Sequence, residues 1–158
     1  SQYLNKEQCD TIEYGNQWYN GATTDTEHYD PCTVAYTGAT EVNGGVIDFG
    51  GYSLTNMTFT GAGGRIENAT LVNATIANTN LTFAADVAFE GRTRVDFGNV
   101  DVADGDVVTV GHYEGADPDV TLWRGRNFKT RGLKATFAAE GGDIVATVKV
   151  PGLMLIVR

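Results

Sequence analysis

Large aliphatic side chains recur at every fifth position between residues 66 and 81. They are Ile66, Leu71, Ile76 and Leu81, and small or polar residues fill the two positions before each of the last three. This spacing fits neither the period of a helix, about 3.6 residues, nor the alternation of a flat strand. It is typical of short strand-and-corner units that each bury one aliphatic side chain and gain stability by stacking. The pattern therefore predicts a coiled, solenoid-like β structure.

The composition favours an all-β fold within one domain of 158 residues. Twenty glycines, together with many Thr, Val, Asn and Asp residues, favour turns and short strands over helices. The nearest approach to a helical pattern, residues 11–19, is interrupted by Gly15. We expect three parts: an N-terminal cap or arm at residues 1–41, a short right-handed β-solenoid at residues 42–97, and a strand-rich C-terminal β region at residues 98–158.

Two segments of the repeat region resemble known repeat proteins. Residues 54–61 (Leu-Thr-Asn-Met-Thr-Phe-Thr-Gly) and residues 69–81 (Ala-Thr-Leu-Val-Asn-Ala-Thr-Ile-Ala-Asn-Thr-Asn-Leu) look like pentapeptide-repeat β-helices. They are also similar to the repetitive passenger regions of bacterial autotransporters and related surface proteins. The resemblance implies a secreted or surface-exposed bacterial β-solenoid. The pattern departs from strict five-residue units at residues 62–64 and again after residue 81, which argues against a perfectly square helix.

The net charge of −9 argues against nucleic acid and anionic membranes as partners, because phosphate binding depends on Lys and Arg. Residues 1–64 contain one base, Lys6, and eight acids, whereas five bases lie within residues 123–134. An acidic front and a locally basic back suit head-to-tail contact between copies of the chain. The alternative interpretation is a solvated acidic arm and an unrelated basic loop.

Cys9 and Cys32 are the two cysteines of the chain, and both lie in its aromatic, polar N-terminal segment. We predict a disulfide between them, either within one chain or between copies, because this segment has few apolar residues to stabilise it. A zinc-like site that includes His28 is the less favoured alternative. A disulfide implies an oxidising compartment. The chain begins at Ser1 and has no signal-like apolar region, so we expect a processed protein that is secreted or held at the cell surface, without membrane insertion.

Side chains suited to catalysis are few. Serine occurs only at Ser1 and Ser53, and histidine only at His28 and His112. A Ser/His/Asp or Cys/His catalytic group would therefore have few possible members, and we expect neither enzyme activity nor a cofactor.

Two polar motifs have alternative interpretations. Three acids around Gly105 (Asp101, Asp104 and Asp106) suggest either a calcium loop or, preferably, a plain turn, since the established calcium-binding patterns are missing. Four Asn-x-Thr triplets begin at Asn56, Asn68, Asn73 and Asn80. They are glycan acceptors or, for three of them preferably, asparagines that hydrogen-bond along the stack.

Residues 153–157 form an apolar run without alternation: Leu153, Met154, Leu155, Ile156 and Val157. Such a strand is expected to be covered on both faces, either within its own subunit or by insertion into a neighbouring copy. We therefore expect a secreted structural subunit that assembles head-to-tail, as a homopolymer, into an extracellular filament or surface layer. The expected assembly interface consists of the 153–157 strand, four basic residues and three aromatic residues: Arg124, Arg126, Lys129, Arg131, Trp18, Tyr19 and Tyr29.

A function of a different class is a carbohydrate-binding or adhesion module on a larger surface protein. In that case Trp18, Tyr19, Tyr29 and Trp123 would form a glycan platform beside the basic loop. Glycans are then the partner in place of other copies of the chain.

Overall fold

A computed structural model describes residues 34–35 and 39–152 of the chain. These residues form β-strands and no helix, so the predicted all-β fold is confirmed. The strands are β1 Val34–Ala35, β2 Ala39–Thr55, β3 Thr58–Val72, β4 Thr75–Ile76, β5 Leu81–Phe83, β6 Val87–Glu90, β7 Arg94–Asp96, β8 Val107–Tyr113, β9 Arg124–Arg126, β10 Lys134–Glu140 and β11 Asp143–Lys149. The predicted disulfide between Cys9 and Cys32 lies outside the described residues.

Strands β2 to β7 wind into stacked coils, which confirms the predicted β-solenoid. A coil takes 17 to 19 residues, because Ala39, Thr58, Thr75 and Arg94 hold the same position in four successive coils. Neighbouring coils pair in parallel along three ladders, which give the stack three faces. The first face contains the starts of β2 and β3, then β4, β7 and β9. The second contains the middle of β2, the middle of β3, β5 and the end of β8. The third contains β1, then the ends of β2 and β3, then β6.

The five-residue spacing in the sequence corresponds to the step from one of the three faces to the next. Ile66 lies on the second face, Leu71 on the third and Ile76 on the first, and Leu81 returns to the second. All four side chains are completely buried. Ile66 pairs with Phe83 rather than with Leu81, so a coil is longer than three five-residue steps. The corners between the faces take up the additional residues.

Inward side chains stack in columns that run along the axis of the coils. On the first face Phe59, Ile76 and Val95 are adjacent partners in the ladder, and none of them is exposed. Each column removes apolar surface from water at every level, at about 25 cal/mol per Å². A coil by itself would leave its inward side chains uncovered above and below, so the coils are stable only as a stack.

One corner repeats with a left-handed backbone in three successive coils. Asn56, Asn73 and Gly91 hold equivalent positions between the third and first faces, with φ values of 59°, 52° and 67°. Asparagine and glycine are the residues that adopt this conformation most readily. Asn73 also binds the next coil, because its Oδ1 accepts a hydrogen bond of 2.9 Å from the backbone N–H of Arg92. This geometry explains why Asn recurs in the repeat.

Ladders of asparagine side chains, the preferred interpretation for three of the four triplets, are not found in the described residues, although two of the asparagines bond to a neighbouring coil through other groups. Asn73 binds Arg92 as described, and Asn68 donates from Nδ2 to the Asp48 carboxylate in the preceding coil, over 3.3 Å. Asn56 and Asn80 are exposed at corners.

The corner between the first and second faces contains a buried asparagine that the sequence analysis did not identify. Asn78 is 1% exposed, and its Nδ2 donates to the carbonyl oxygen of Val42, two coils away, over 2.9 Å. Val42 itself is buried at this corner. Gly61 lies directly beneath it with φ +109°, and a Cβ on Gly61 would overlap the carbonyl oxygen of Val42. Asn78 and Gly61 together allow the chain to turn closely around Val42.

A three-stranded antiparallel sheet extends the second face. The end of β8 pairs in parallel with β5 through His112 and Tyr113, and β8 then pairs antiparallel with β11. β11 and β10 form a hairpin whose turn is Gly141-Gly142, with φ values of 60° and 93°. Positive φ at both positions defines the two-residue turn that matches strand twist. Two adjacent glycines between strand-like runs are the local sequence signal for this hairpin.

The acidic segment before β8 is a turn, as the preferred interpretation predicts. Each of its three carboxylates has a different protein partner. Asp106 accepts from the N–H of Ala103, Asp104 accepts from the N–H of Val150, and Asp101 pairs with Lys129. These bonds fix the turn and connect it to the end of β11.

We expect Gly61→Ala to destabilise the fold by about 2–6 kcal/mol, since a strained positive φ and overpacking each cost about 1–3 kcal/mol. Gly105→Ala is the matched control. Gly105 also has a positive φ, +92°, but nothing lies within 4 Å of the added carbon, so the expected cost is only the strain of about 1–3 kcal/mol. Urea unfolding of both variants measures the difference. Equal losses would contradict the close approach to Val42.

Candidate assembly interface

The two ends of the stack present strands of the same direction. β2 is the first strand of the first and second faces, while β9 ends the first face and β10 ends the extended second face. β9 is parallel to β2 through an unbroken series of parallel pairs. β11 reverses the direction and β10 restores it, so β10 also runs parallel to β2. Within the described residues, β9 and β10 each have a strand on one side only.

The free edge of β9 is formed by Gly125. The N–H of Arg124 donates to the carbonyl of Thr93, and the carbonyl of Arg126 accepts from the N–H of Phe97. Both flanking residues therefore bond toward the stack. Because backbone groups alternate in direction along a strand, the N–H and C=O of Gly125 point away from it.

The free edge of β10 is formed by every second residue of that strand. Val148 of β11 directs its N–H to Asp106 and its carbonyl to Gly105, and therefore bonds away from β10. Ala135 is its partner on β10, so this is a non-hydrogen-bonded pair. The N–H and C=O groups of Ala135, Phe137 and Ala139 consequently point outward, away from β11.

A groove of about 530 Å³ lies between β9 and β10. We call it the end groove. Its apolar lining comes from Val120, Trp123, Ala135 and Phe137, and Arg124 and Lys134 stand at its rim. Trp123 forms the floor, with its ring centroid 5.1 Å from that of Phe89 and 6.0 Å from that of Phe137. The groove thus combines an apolar floor with two rows of outward-pointing backbone groups.

Three of the four large apolar side chains that are most exposed lie near this end of the described structure. Leu122 is 52% exposed and precedes Trp123, Val150 is 50% exposed and follows β11, and Val107, at 64%, begins β8.

The basic residues predicted at the interface are exposed and lie at or just after β9, but they have different partners. Arg126 pairs with Asp96 at 3.2 Å, and Lys129 pairs with Asp101 at 2.6 Å. Arg124 donates to the backbone carbonyls of Thr121 and Trp123. Arg131 is exposed in the loop before β10. Two of the four cations are thus neutralised by acids of the same chain.

The other residues predicted at the interface fall outside the described residues: Leu153, Met154, Leu155, Ile156, Val157, Trp18, Tyr19 and Tyr29. Trp123, expected in the alternative function to face a glycan, is 2% exposed and belongs to the core. The sequence analysis missed Gly125, Ala135 and Phe137, because their role comes from backbone direction. Two features of the sequence could have predicted a free β10 edge: the Gly141-Gly142 hairpin turn and the Val-rich sequence of β8.

Several ionisable groups of the described residues are paired with one another. Across the second face, Arg65 donates to both Glu67 and Glu114. The bond from Arg65 lowers the pKa of the Glu114 carboxyl below its usual range. Nearby, the hydrogen bond from Tyr113 to Asp117 raises the pKa of that phenol. His112 Nδ1 lies 2.7 Å from Asp143. No three potential metal ligands are grouped within the described part of the chain.

Membrane crossing by a helix is not supported in the described residues, none of which form a helix of the required length and apolar character.

We expect Arg65→Gln to lower the Tm at neutral pH, because Glu114 loses the partner that depresses its pKa. A depressed pKa contributes stability above the unfolded value, about 4.3, and that contribution disappears as the pH falls through the folded value. The Tm difference from wild type should therefore close on acidification below pH 4. Thermal scans across this range test it, with Lys129→Gln as the control for a more exposed ion pair. A difference that is constant with pH would contradict the assignment.

Comparison with protein-family models, curated proteins and solved structures finds no match for this chain. The β-solenoid part of the predicted resemblance is confirmed by the stacked coils themselves. Kinship with bacterial autotransporters and related surface proteins stays a prediction.

Proposed function

We propose that the chain is a secreted structural subunit that assembles head-to-tail into an extracellular filament or surface layer. Neighbouring copies join by β stacking, so that the first coil of one copy continues the ladders at the far end of the next. The interface is heterologous and does not close on itself, which is the arrangement that gives open polymers. Residues 153–157, Arg124, Arg126, Lys129 and Arg131 lie at one junction surface, and Trp18, Tyr19 and Tyr29 at the other.

The observation that carries this proposal is the matched direction of the terminal strands. β2, β9 and β10 all run the same way. A second copy in the same orientation therefore meets the end of the stack with strands that can pair in parallel. An edge with unpaired N–H and C=O groups gains free energy when a further strand satisfies them.

The charges at the two ends also support this orientation. The first coil exposes Glu41, while the opposite end carries Arg124, Arg131 and Lys134. Opposite signs at the two ends favour head-to-tail encounter over contact between like ends. Because these groups are exposed, the attraction weakens as salt increases.

We expect Ala139→Pro to prevent polymer growth, because it removes an outward N–H from the free edge of β10 while the hydrogen bonds to β11 remain. Ala139→Val is the matched control, since it keeps the N–H and should still assemble. Sedimentation velocity and negative-stain microscopy at high protein concentration measure polymer length. Circular dichroism of each dilute variant establishes that it is folded.

Polymers of equal length from Ala139→Pro and from the wild type would contradict the role of the β10 edge. A wild-type chain that remains monomeric at all concentrations would contradict the proposed function itself. Saturable glycan binding by that monomer would then favour the adhesion module.

A further inference from the structure

We propose that Asn43 is a site of self-modification, at which the folded chain converts an asparagine to aspartate or isoaspartate. The reaction uses neighbouring residues and water and needs no enzyme. It goes beyond the proposed function and does not depend on it, because every group involved lies in the first two coils of a single chain. The sequence Asn43-Gly44-Gly45 stands at an exposed corner of β2.

Glycine follows Asn43, and this neighbour decides whether the reaction is possible. The backbone nitrogen of the next residue must reach the side-chain amide carbon, and a Cβ on that residue obstructs the approach. Within the described residues Asn43 is the one asparagine that precedes a glycine. Asn56 and Asn80 are also exposed, but Met57 and Leu81 follow them. The chain therefore offers one site for this reaction and two internal comparisons.

The backbone beside Asn43 is open and irregular. The parallel ladder between β2 and β3 passes from Asn43 directly to Val46, so Gly44 and Gly45 have no partner in it. Gly44 has a φ of +107°, and nothing lies within 4 Å of the position that a Cβ would take. A backbone rotation that brings the Gly44 nitrogen to the side chain of Asn43 therefore breaks no ladder pair.

Two hydrogen bonds hold the side-chain amide of Asn43. The N–H of Ala62 donates to its Oδ1 over 3.0 Å, and its Nδ2 donates to the Glu41 carboxylate over 2.6 Å. The first bond stabilises the negative charge that develops on Oδ1 when the amide carbon is attacked. The second places a carboxylate at the departing nitrogen, where it can transfer a proton. Both contacts therefore assist the reaction.

The reaction forms a cyclic imide and then opens it, with no oxidant or reductant. The Gly44 nitrogen loses its proton and bonds to Cγ of Asn43, and the electron pair of the C=O bond moves to Oδ1. When that pair returns, the Cγ–Nδ2 bond breaks, and ammonia leaves with a proton relayed through Glu41. Water then adds to one of the two ring carbonyl carbons. Breaking the bond from Cγ to the ring nitrogen gives aspartate, whereas breaking the bond from the main-chain carbonyl gives isoaspartate.

Either product alters the first coil. Aspartate faces Glu41 with a like charge where a hydrogen bond stood before. Isoaspartate lengthens the main chain of β2 by one carbon, at the residue that pairs with Gly63. Conversion therefore adds negative charge to the end of the stack that already exposes Glu41.

Peptide mapping of the folded chain during incubation at neutral pH tests the proposal. Digestion and mass spectrometry distinguish asparagine, aspartate and isoaspartate at each position. We expect conversion at Asn43 and an unchanged Asn56 and Asn80 over the same period. Gly44→Ala should abolish the conversion. Asn43→Gln should stay unmodified, because it keeps a side-chain amide but would have to close a larger ring.

Glu41→Gln separates the contribution of the fold from the reactivity of any Asn-Gly sequence. Glutamine still accepts the hydrogen bond from Nδ2 but cannot carry the proton. We expect conversion to slow about tenfold, less than the roughly 100-fold or more that positioned acid–base groups contribute in enzymes, because Glu41 is exposed. A synthetic peptide of residues 40–46 provides the rate without the fold, and the folded chain should convert at least as fast. Circular dichroism establishes that each variant is folded.

An Asn43 that remains intact, or that converts more slowly than the peptide, would overturn the proposal. Equal rates in the wild type and in Glu41→Gln would overturn the role of the carboxylate. Polymer length, measured separately, decides the proposed function. A chain that converts Asn43 but never polymerises would keep the modification site and lose the filament.

Discussion

The structure depends on the in-register stacking of inward side chains from one coil to the next. Phe59, Ile76 and Val95 illustrate this, because they are successive partners in one ladder and none of them is exposed. The parallel hydrogen bonds fix which residues become partners, and the apolar columns provide the free energy. Everything else in the fold either keeps this register or ends it. The corners keep it, and the antiparallel hairpin and the two end surfaces determine where it stops.

The corners keep the register by absorbing differences in length. Successive coils of 17 to 19 residues nevertheless place Ala39, Thr58, Thr75 and Arg94 in one column. Glycine and asparagine allow this, since they accept the left-handed backbone that a sharp corner requires. The buried amide of Asn78 contributes differently, by binding the carbonyl of Val42 across two coils. A polar side chain in the interior thus fixes the relative position of three levels.

Much of the fold could be predicted from the sequence, because the five-residue spacing of Ile66, Leu71, Ile76 and Leu81 reflects a local geometric unit. The Gly141-Gly142 turn was predictable for the same reason, since a two-residue turn needs only local backbone freedom. The number of faces was not predictable, because it depends on how many residues each corner adds. The candidate assembly interface was harder to predict than the fold. The sequence shows a basic residue such as Arg126, but its ion-pair partner Asp96 lies 30 positions away, so the pairing is not apparent from the sequence.

The direction of β10 has a consequence for symmetry. β11 opposes the stack, and the second arm of the hairpin reverses the chain once more. If the extension ended after β11, the terminal strand would be antiparallel to β2. In the proposed assembly, a partner presenting β2 could then pair in parallel with that edge only after a half-turn about the stack axis. The contact would still join two different ends of the chain, so the polymer would stay open but would repeat by a twofold screw instead of by simple translation. The second arm of the hairpin therefore sets the rotation between neighbouring copies.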